Sequence, residues 1–190
     1  EFIEAPGEAA IYGPKMDFMA QDSLGREWQI STIQIDMNMP GRFGLKYVDE
    51  NGQERTPIMI HRAIVGSERF IGIIIEHFGG SFPAWMSPEQ VRIIPISEEN
   101  NEYADSLLNR LKKVGVHATV DPDNDRMQNK IRKAQEMKVP YMLILGKREA
   151  EGNQVSIRYR DGRSENGVAY DDFEAKLLKN IKERKLELDL

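Results

Sequence analysis

Strict alternation of apolar and polar positions dominates the first third of the chain, and helical spacing recurs through the rest. Residues 26–39, REWQISTIQIDMNM, put Ile33, Ile35 and Met37 on one side of an extended segment and Thr32, Gln34 and Asp36 on the other. That polar side is either open to solvent or the wall of a site. Residues 12–19, YGPKMDFM, turn at Gly13-Pro14 and run into a second strand. Residues 43–49, then ENGQ with Asn51-Gly52, then RTPIMI read as a hairpin. The first part is therefore mainly an antiparallel sheet. From Glu68 the period changes: Ile71, Ile74, Ile75 and Phe78 follow helical spacing, with Gly79-Gly80 as a stop. This helix is apolar nearly all round, which predicts burial against the sheet. The segment SFPAWMSPEQ, 81–90, has two prolines and no period, and marks a domain boundary.

Beyond it strands and helices alternate. Strands are predicted at 91–96, 116–120, 141–145 and 154–160, and helices at 100–114, 124–138 and 171–185. The last strand pair, joined around EGN, reads as antiparallel and the rest as partly parallel. The expectation is an α+β antiparallel sheet with a buried helix over 1–84, then a small α/β mixed-sheet domain over 88–190. The turn after the first strand of the second domain is SEENN, without glycine and with two carboxylates. A dinucleotide-binding unit needs a glycine-rich turn there, so a Rossmann dehydrogenase is disfavoured.

Composition narrows the class. Of 190 residues 40% are hydrophobic, enough for a core, and no run approaches the eighteen or so apolar residues of a membrane span. Cysteine is absent, which removes disulfides, thiol nucleophiles and cysteine-based zinc knuckles within these residues and fits a cytoplasmic protein. Opening on Glu1-Phe2-Ile3, without Met or a secretory pattern, the sequence reads as the continuation of something longer. The net charge of −5 is unevenly spread. Residues 1–87 hold 7 basic against 12 acidic side chains, while 126–163 hold 10 basic against 4 acidic. That basic stretch is either a polyanion-binding surface or a set of solvated helix faces.

One stretch resists a purely structural reading. PIMIHRAIVGSERFIGIIIEHFGG, 57–80, sets His61-Arg62 and Ser67-Glu68-Arg69 inside an apolar run. Such groups need partners or a pocket. A lone histidine there is a hydrogen-bonded core residue or a ligand. The phrases GEAAIYGPK (7–15), QISTIQIDM (29–37), MIHRAIVGSERF (59–70), FPAWMSPEQV (82–91) and VPYMLILG (139–146) occur in register. Together they resemble the threonyl-tRNA synthetases, class II aminoacyl-tRNA ligases, over essentially the whole chain. Gly66-Ser67-Glu68-Arg69 resembles the family's third signature motif, one residue short between Ser67 and Glu68, and Ala9 stands where the family has Gly. The first two class II motifs have no counterpart here.

The resemblance implies the last part of a class II catalytic domain followed by an anticodon-binding domain. It implies ATP-dependent threonine activation as an adenylate, then transfer to tRNA(Thr), by a full-length protein that is a homodimer. The fragment alone is expected to be inactive, and no membrane is involved. By resemblance Lys15 lies near the α-phosphate and Arg69 stacks on adenine, with Gln29 and Thr32 also contacting ATP, which comes with Mg2+. Tyr12, Gln34 and Ala63 resemble threonine-binding positions. His61 resembles one of three zinc ligands; the other two, a Cys and a His, are not in this chain. Such a Lewis acid demands the threonine hydroxyl and rejects valine. Asn124, Arg126, Arg132, Glu149 and Arg158 resemble anticodon-reading positions, where unstacked bases offer their Watson–Crick edges. A non-catalytic tRNA-binding module or paralogue, and a class II ligase for another amino acid such as proline or histidine, remain alternatives.

Overall fold

The computed structural model describes residues 2–63, 65, 68–121, 123 and 125–190. Gly66, Ser67 and Asn124, singled out above, lie outside the described residues. The chain divides into two compact units, Glu1–His77 and Phe78–Leu190.

In the first unit, strands β1 (Lys15–Gln21), β2 (Glu27–Asp36) and β5 (Met59–Ala63) form an antiparallel sheet in the order β1-β2-β5. A short helix α1 (Met39–Arg42) follows β2. The two-residue strands β3 (Tyr47–Val48) and β4 (Glu54–Arg55) make the hairpin around Asn51-Gly52. The predicted second arm RTPIMI splits at Pro57, which has no N–H for a ladder, and its second half joins β2 instead. Asp22 closes the β1–β2 turn. Its carboxylate accepts from the backbone N–H of Leu24 and Arg26, from Arg26 Nε at 2.6 Å and from Trp28 Nε1 at 2.8 Å. Burial opposes its charge, yet these bonds hold the carboxyl well below the usual carboxylate range.

The helix α2 (Glu68–Phe78) forms where the period predicts it, but it is not buried. Phe70, Ile73, Ile74 and Phe78 are half-covered, whereas Ile71 and Ile75 are exposed. Polar ties run from the helix to β2 and the residue before that strand: Arg69 Nη1 donates to the Gln29 carbonyl at 3.3 Å, and Glu76 pairs with Arg26 at 2.7 Å. Neither contact removes the isoleucines from water. Met16 and Ile60 on the sheet, and Met37 just past the end of β2, are likewise exposed.

In the second unit, β6 (Val91–Pro95), β7 (Ala118–Val120), β8 (Tyr141–Leu145), β9 (Gln154–Tyr159) and β10 (Ser164–Ala169) form one sheet in the order β10-β9-β8-β6-β7. The β6–β7 and β6–β8 pairs are parallel; β8–β9 and β9–β10 are antiparallel. On one face Ile93, Leu143 and Ile157 stand in register beneath α3 (Asn101–Lys113) and α6 (Tyr170–Lys182). Those helices bury Leu107 and Leu111, and Tyr170, Phe173 and Leu177, at three- and four-residue spacing. On the other face Ile94 and Met142 pack with Ile131 and Ala134 of α4 (Met127–Glu136). The helix α5 (Lys147–Gly152) and the strand β10 have no counterpart in the sequence reading. The prolyl stretch 81–90 packs within this unit: Gln90 Nε2 donates to the Ala84 carbonyl, and Arg160 donates to the carbonyls of Ser81, Phe82 and Lys138. No described helix is long and apolar enough to cross a membrane.

Candidate functional site

The ladder of the first unit sorts the chemistry onto one face. Lys15, Gln34 and His61 are aligned across the three strands, as are Asp17, Thr32 and Ala63. Side chains directly opposite one another share a face, so these residues line one side of the sheet. Gln29 joins them through a bulge. The register jumps between Phe18↔Ser31 and Met19↔Gln29, skipping Ile30 and turning Gln29 toward Asp17. Tyr12 arrives because Gly13 lets the chain press onto β2: a Cβ there would lie 1.9 Å from the Ile35 carbonyl oxygen. The flanking bonds Ile35 N–H to Pro14 and Met37 N–H to Tyr12 lock that approach.

Two carboxylates organise this face. Asp17 Oδ2 holds Lys15 Nζ at 2.7 Å, while Oδ1 accepts from Gln29 Nε2 at 2.7 Å and Thr32 Oγ1 at 2.5 Å. The hydrogen bond and charge of Asp17 raise the Lys15 pKa, and the bonds from Lys15 and Thr32 lower that of Asp17. Both groups are thereby held ionised. Asp36, with a side chain only 1% exposed, accepts from His61 Nε2 at 2.9 Å and from the N–H groups of Asn38 and Met39. Burial works against its charge, and the His61, Met39 and Asn38 bonds more than offset that, keeping the carboxyl below its ordinary range.

His61 itself is 46% exposed. Tyr12 meets its ring edge-on at 6.1 Å between centroids and donates its hydroxyl to Gln34 Oε1 at 3.1 Å. A histidine sealed in a core would show neither the exposure nor this row of neighbours. Tyr12, Lys15, Gln29, Thr32, Gln34 and His61 are thus brought together, and Arg69 reaches the main chain at Gln29. Ala63 sits opposite Thr32 and accepts at its carbonyl from Ser31 Oγ. The sequence reading missed Asp17, and it put Asp36 on the polar side of its strand without assigning it the bond to His61. The available signal was that both carboxylates fall on the polar phase of their strands.

The second unit treats its basic residues unequally. Lys130 pairs with buried Asp121 at 3.7 Å, Lys133 with Asp123 at 2.8 Å, and Arg163 with Asp161 and Asp189. Lys138 donates to the Gly79 carbonyl. These cations, and Arg160, serve the fold, so the +6 of the segment overstates its free charge. Arg126 and Arg132 remain exposed, Arg132 with only a 3.7 Å approach to Glu136. Arg158 lies opposite Met142 on the α4 face of the sheet, and its Nε is buried with no hydrogen-bond partner among the described residues. Among the described residues no ion pair joins Glu149 to Lys147 or Arg148. Its Oε2 accepts from Gly146 N–H at 3.0 Å and its Oε1 from Ser156 Oγ at 2.9 Å. Burial opposes its charge, but these bonds lower its pKa, so it is a fixed anionic acceptor.

Residues 3–78 match the tRNA synthetase class II core domain (G, H, P, S and T), and residues 90–180 match the anticodon binding domain. The chain is therefore built as a class II aminoacyl-tRNA synthetase, with core residues followed by an anticodon-binding domain. It is 54% identical to a threonine–tRNA ligase of Deinococcus deserti over 94% of this chain and 28% of that protein. It is 48% identical to a threonine–tRNA ligase catalytic subunit of Sulfurisphaera tokodaii over 98% of this chain and 35% of that one. A crystal structure of the RNA binding domain of a Cryptosporidium parvum threonyl-tRNA synthetase superposes with a TM-score of 0.79 at 40% identity, covering 91% of this chain and 44% of that one. The chain belongs to the threonyl-tRNA synthetase family and spans about a third or less of the length of these curated relatives.

Proposed function

We propose that the full-length protein joins threonine to tRNA(Thr), first forming threonyl adenylate from ATP and then passing the threonyl group to the tRNA. The observation that carries this reading is the convergence of Tyr12, Lys15, Gln29, Thr32, Gln34 and His61 on one sheet face. Adenylation needs little proton transfer: a carboxylate attacks the α-phosphate and pyrophosphate leaves, so positioning and charge dominate. Lys15 meets the α-phosphate, Gln29 and Thr32 hold the nucleotide, and Arg69 lays its guanidinium on adenine, a planar task unsuited to lysine. Mg2+ accompanies the ATP. Tyr12 and Gln34, already bonded to each other, hold the amino end of threonine beside Ala63.

Among the described residues no group of three His, Cys, Asp or Glu side chains gathers to hold a metal. His61 nevertheless fits such an ion as one ligand of a set completed outside this chain. Its ring is half-exposed, and a buried carboxylate fixes Nε2, leaving Nδ1 to donate a lone pair. Bound there, zinc would supply a Lewis acid that favours the hydroxyl-bearing threonine over valine. In the second unit the fixed carboxylate of Glu149 suits a base amino group, the guanidinium of Arg158 suits a base or phosphate oxygen, and exposed Arg126 and Arg132 join them as anticodon contacts, a role to which the resemblance also assigns Asn124. Kinship supports a homodimer and a cytoplasmic location for the full-length protein. Threonine-dependent ATP–pyrophosphate exchange tests the reading: a ligase shows turnover, and a tRNA-binding module shows none.

A further inference from the structure

We infer that Asp17 is the positioning residue of the nucleotide half of this face, holding Lys15, Gln29 and Thr32 as one preformed unit; this rests on the ATP-binding reading above. Three donors from two strands converge on a single carboxylate. Its Oδ2 takes the Lys15 ammonium, and its Oδ1 takes both the Gln29 amide and the Thr32 hydroxyl. Each of those side chains has been read as touching ATP, and Asp17 is the atom set they share. The bulge at Ile30 exists in the same register: without that extra residue, Gln29 would point to the opposite face and lose Asp17. Backbone geometry and side-chain bonding therefore converge on the same carboxylate.

The physical consequence is preorganisation. Lys15 and Gln29 have long, rotamer-rich side chains whose ordering opposes ligand binding unless it is done beforehand. Asp17 orders them in the absence of ligand. It also keeps the ammonium of Lys15 charged, while its own charge is matched by that ammonium. A phosphate therefore meets a neutralised carboxylate rather than a bare one. Asp17 need not touch the nucleotide, so its removal should weaken ATP and leave threonine, held by Tyr12, Gln34 and His61, unaffected.

The experiment is ATP–pyrophosphate exchange by the full-length protein and its Asp17→Ala and Asp17→Asn variants, with ATP and threonine varied separately. Asp17→Ala raises KM for ATP about tenfold, the effect of losing hydrogen bonds to charged groups, while KM for threonine stays within about twofold. Asp17→Asn falls between, because its amide oxygen still accepts from Gln29 and Thr32 but no longer matches the Lys15 charge. Should Asp17→Ala fail to fold, the asparagine variant alone carries the same split. An unchanged KM for ATP in the folded variants, or parallel rises for ATP and threonine, overturns the inference. A wild-type protein without threonine-dependent exchange overturns the ATP-binding reading itself, and the inference with it.

Discussion

His61 Nε2 lies 2.9 Å from Asp36 Oδ2, with the carboxylate buried and the imidazole half-exposed. One ring nitrogen is committed to the interior and the other is left for a ligand. That arrangement is how proteins orient a metal-binding histidine. Asp36→Asn in the full-length protein should keep the sheet and lower zinc affinity about 10- to 100-fold, the range for losing a carboxylate behind a ligand. Competition titration with a chromophoric chelator measures this. Unchanged affinity would leave Asp36 with only its backbone-capping bonds to Asn38 and Met39.

The anticodon face makes a second prediction. Arg132→Ala together with Arg158→Ala should weaken tRNA(Thr) binding by the full-length protein. Each lost phosphate contact should reduce the slope of log affinity against log salt by about 0.7 to 1. A wild-type slope and affinity in the double variant would remove this face from the tRNA footprint.

Acid should report on the β1–β2 turn. The Asp22 carboxyl sits well below its unfolded pKa near 3.8. Its stabilisation is therefore complete above that value and is lost as pH falls through it toward the folded pKa. Trp28 Nε1 donates to the same carboxylate, so its fluorescence in a Trp85→Phe background should change along this limb. Asp22→Asn should flatten the limb below about pH 4 and leave the neutral range pH-independent. A limb as steep as in the parent protein would assign acid loss to other carboxylates.

The second unit depends on ring packing at Phe173, fully buried and edge-on to Tyr141 at 6.3 Å. Phe173→Ala should cost about 3–5 kcal/mol, read by urea unfolding. A cost under about 1 kcal/mol would mean the site repacks around the loss.

Much of this was legible in the sequence because strand alternation is rigid. Once Thr32, Gln34 and Asp36 share a phase, pairing with the strand at 59–63 puts His61 and Ala63 beside them without further information. The helix at 68–78 was legible from spacing alone; its burial was not, because burial depends on what faces Ile71 and Ile75 rather than on their period. The role of Asp17 was hidden by the bulge at Ile30, which breaks the very alternation used to assign faces. The strand β10 was hidden by Ser164-Glu165-Asn166-Gly167, residues with little strand preference that pair because β9 offers an edge. The helix α5 has six residues, too few for a period to register. Positive charge between 126 and 163 misled by its sum, since ion pairing at Lys130, Lys133 and Arg163 is a property of the fold.

Selection of threonine by the polar face of β1, β2 and β5 rests on His61 in the proposed ligase. The most direct measurement is ATP–pyrophosphate exchange by the full-length protein with threonine and with valine, for the parent and for His61→Ala, alongside metal content. The parent should show exchange with threonine and little with valine, and His61→Ala should lose both exchange and bound zinc. Undiminished threonine-dependent exchange by a zinc-free His61→Ala protein would contradict selection through His61.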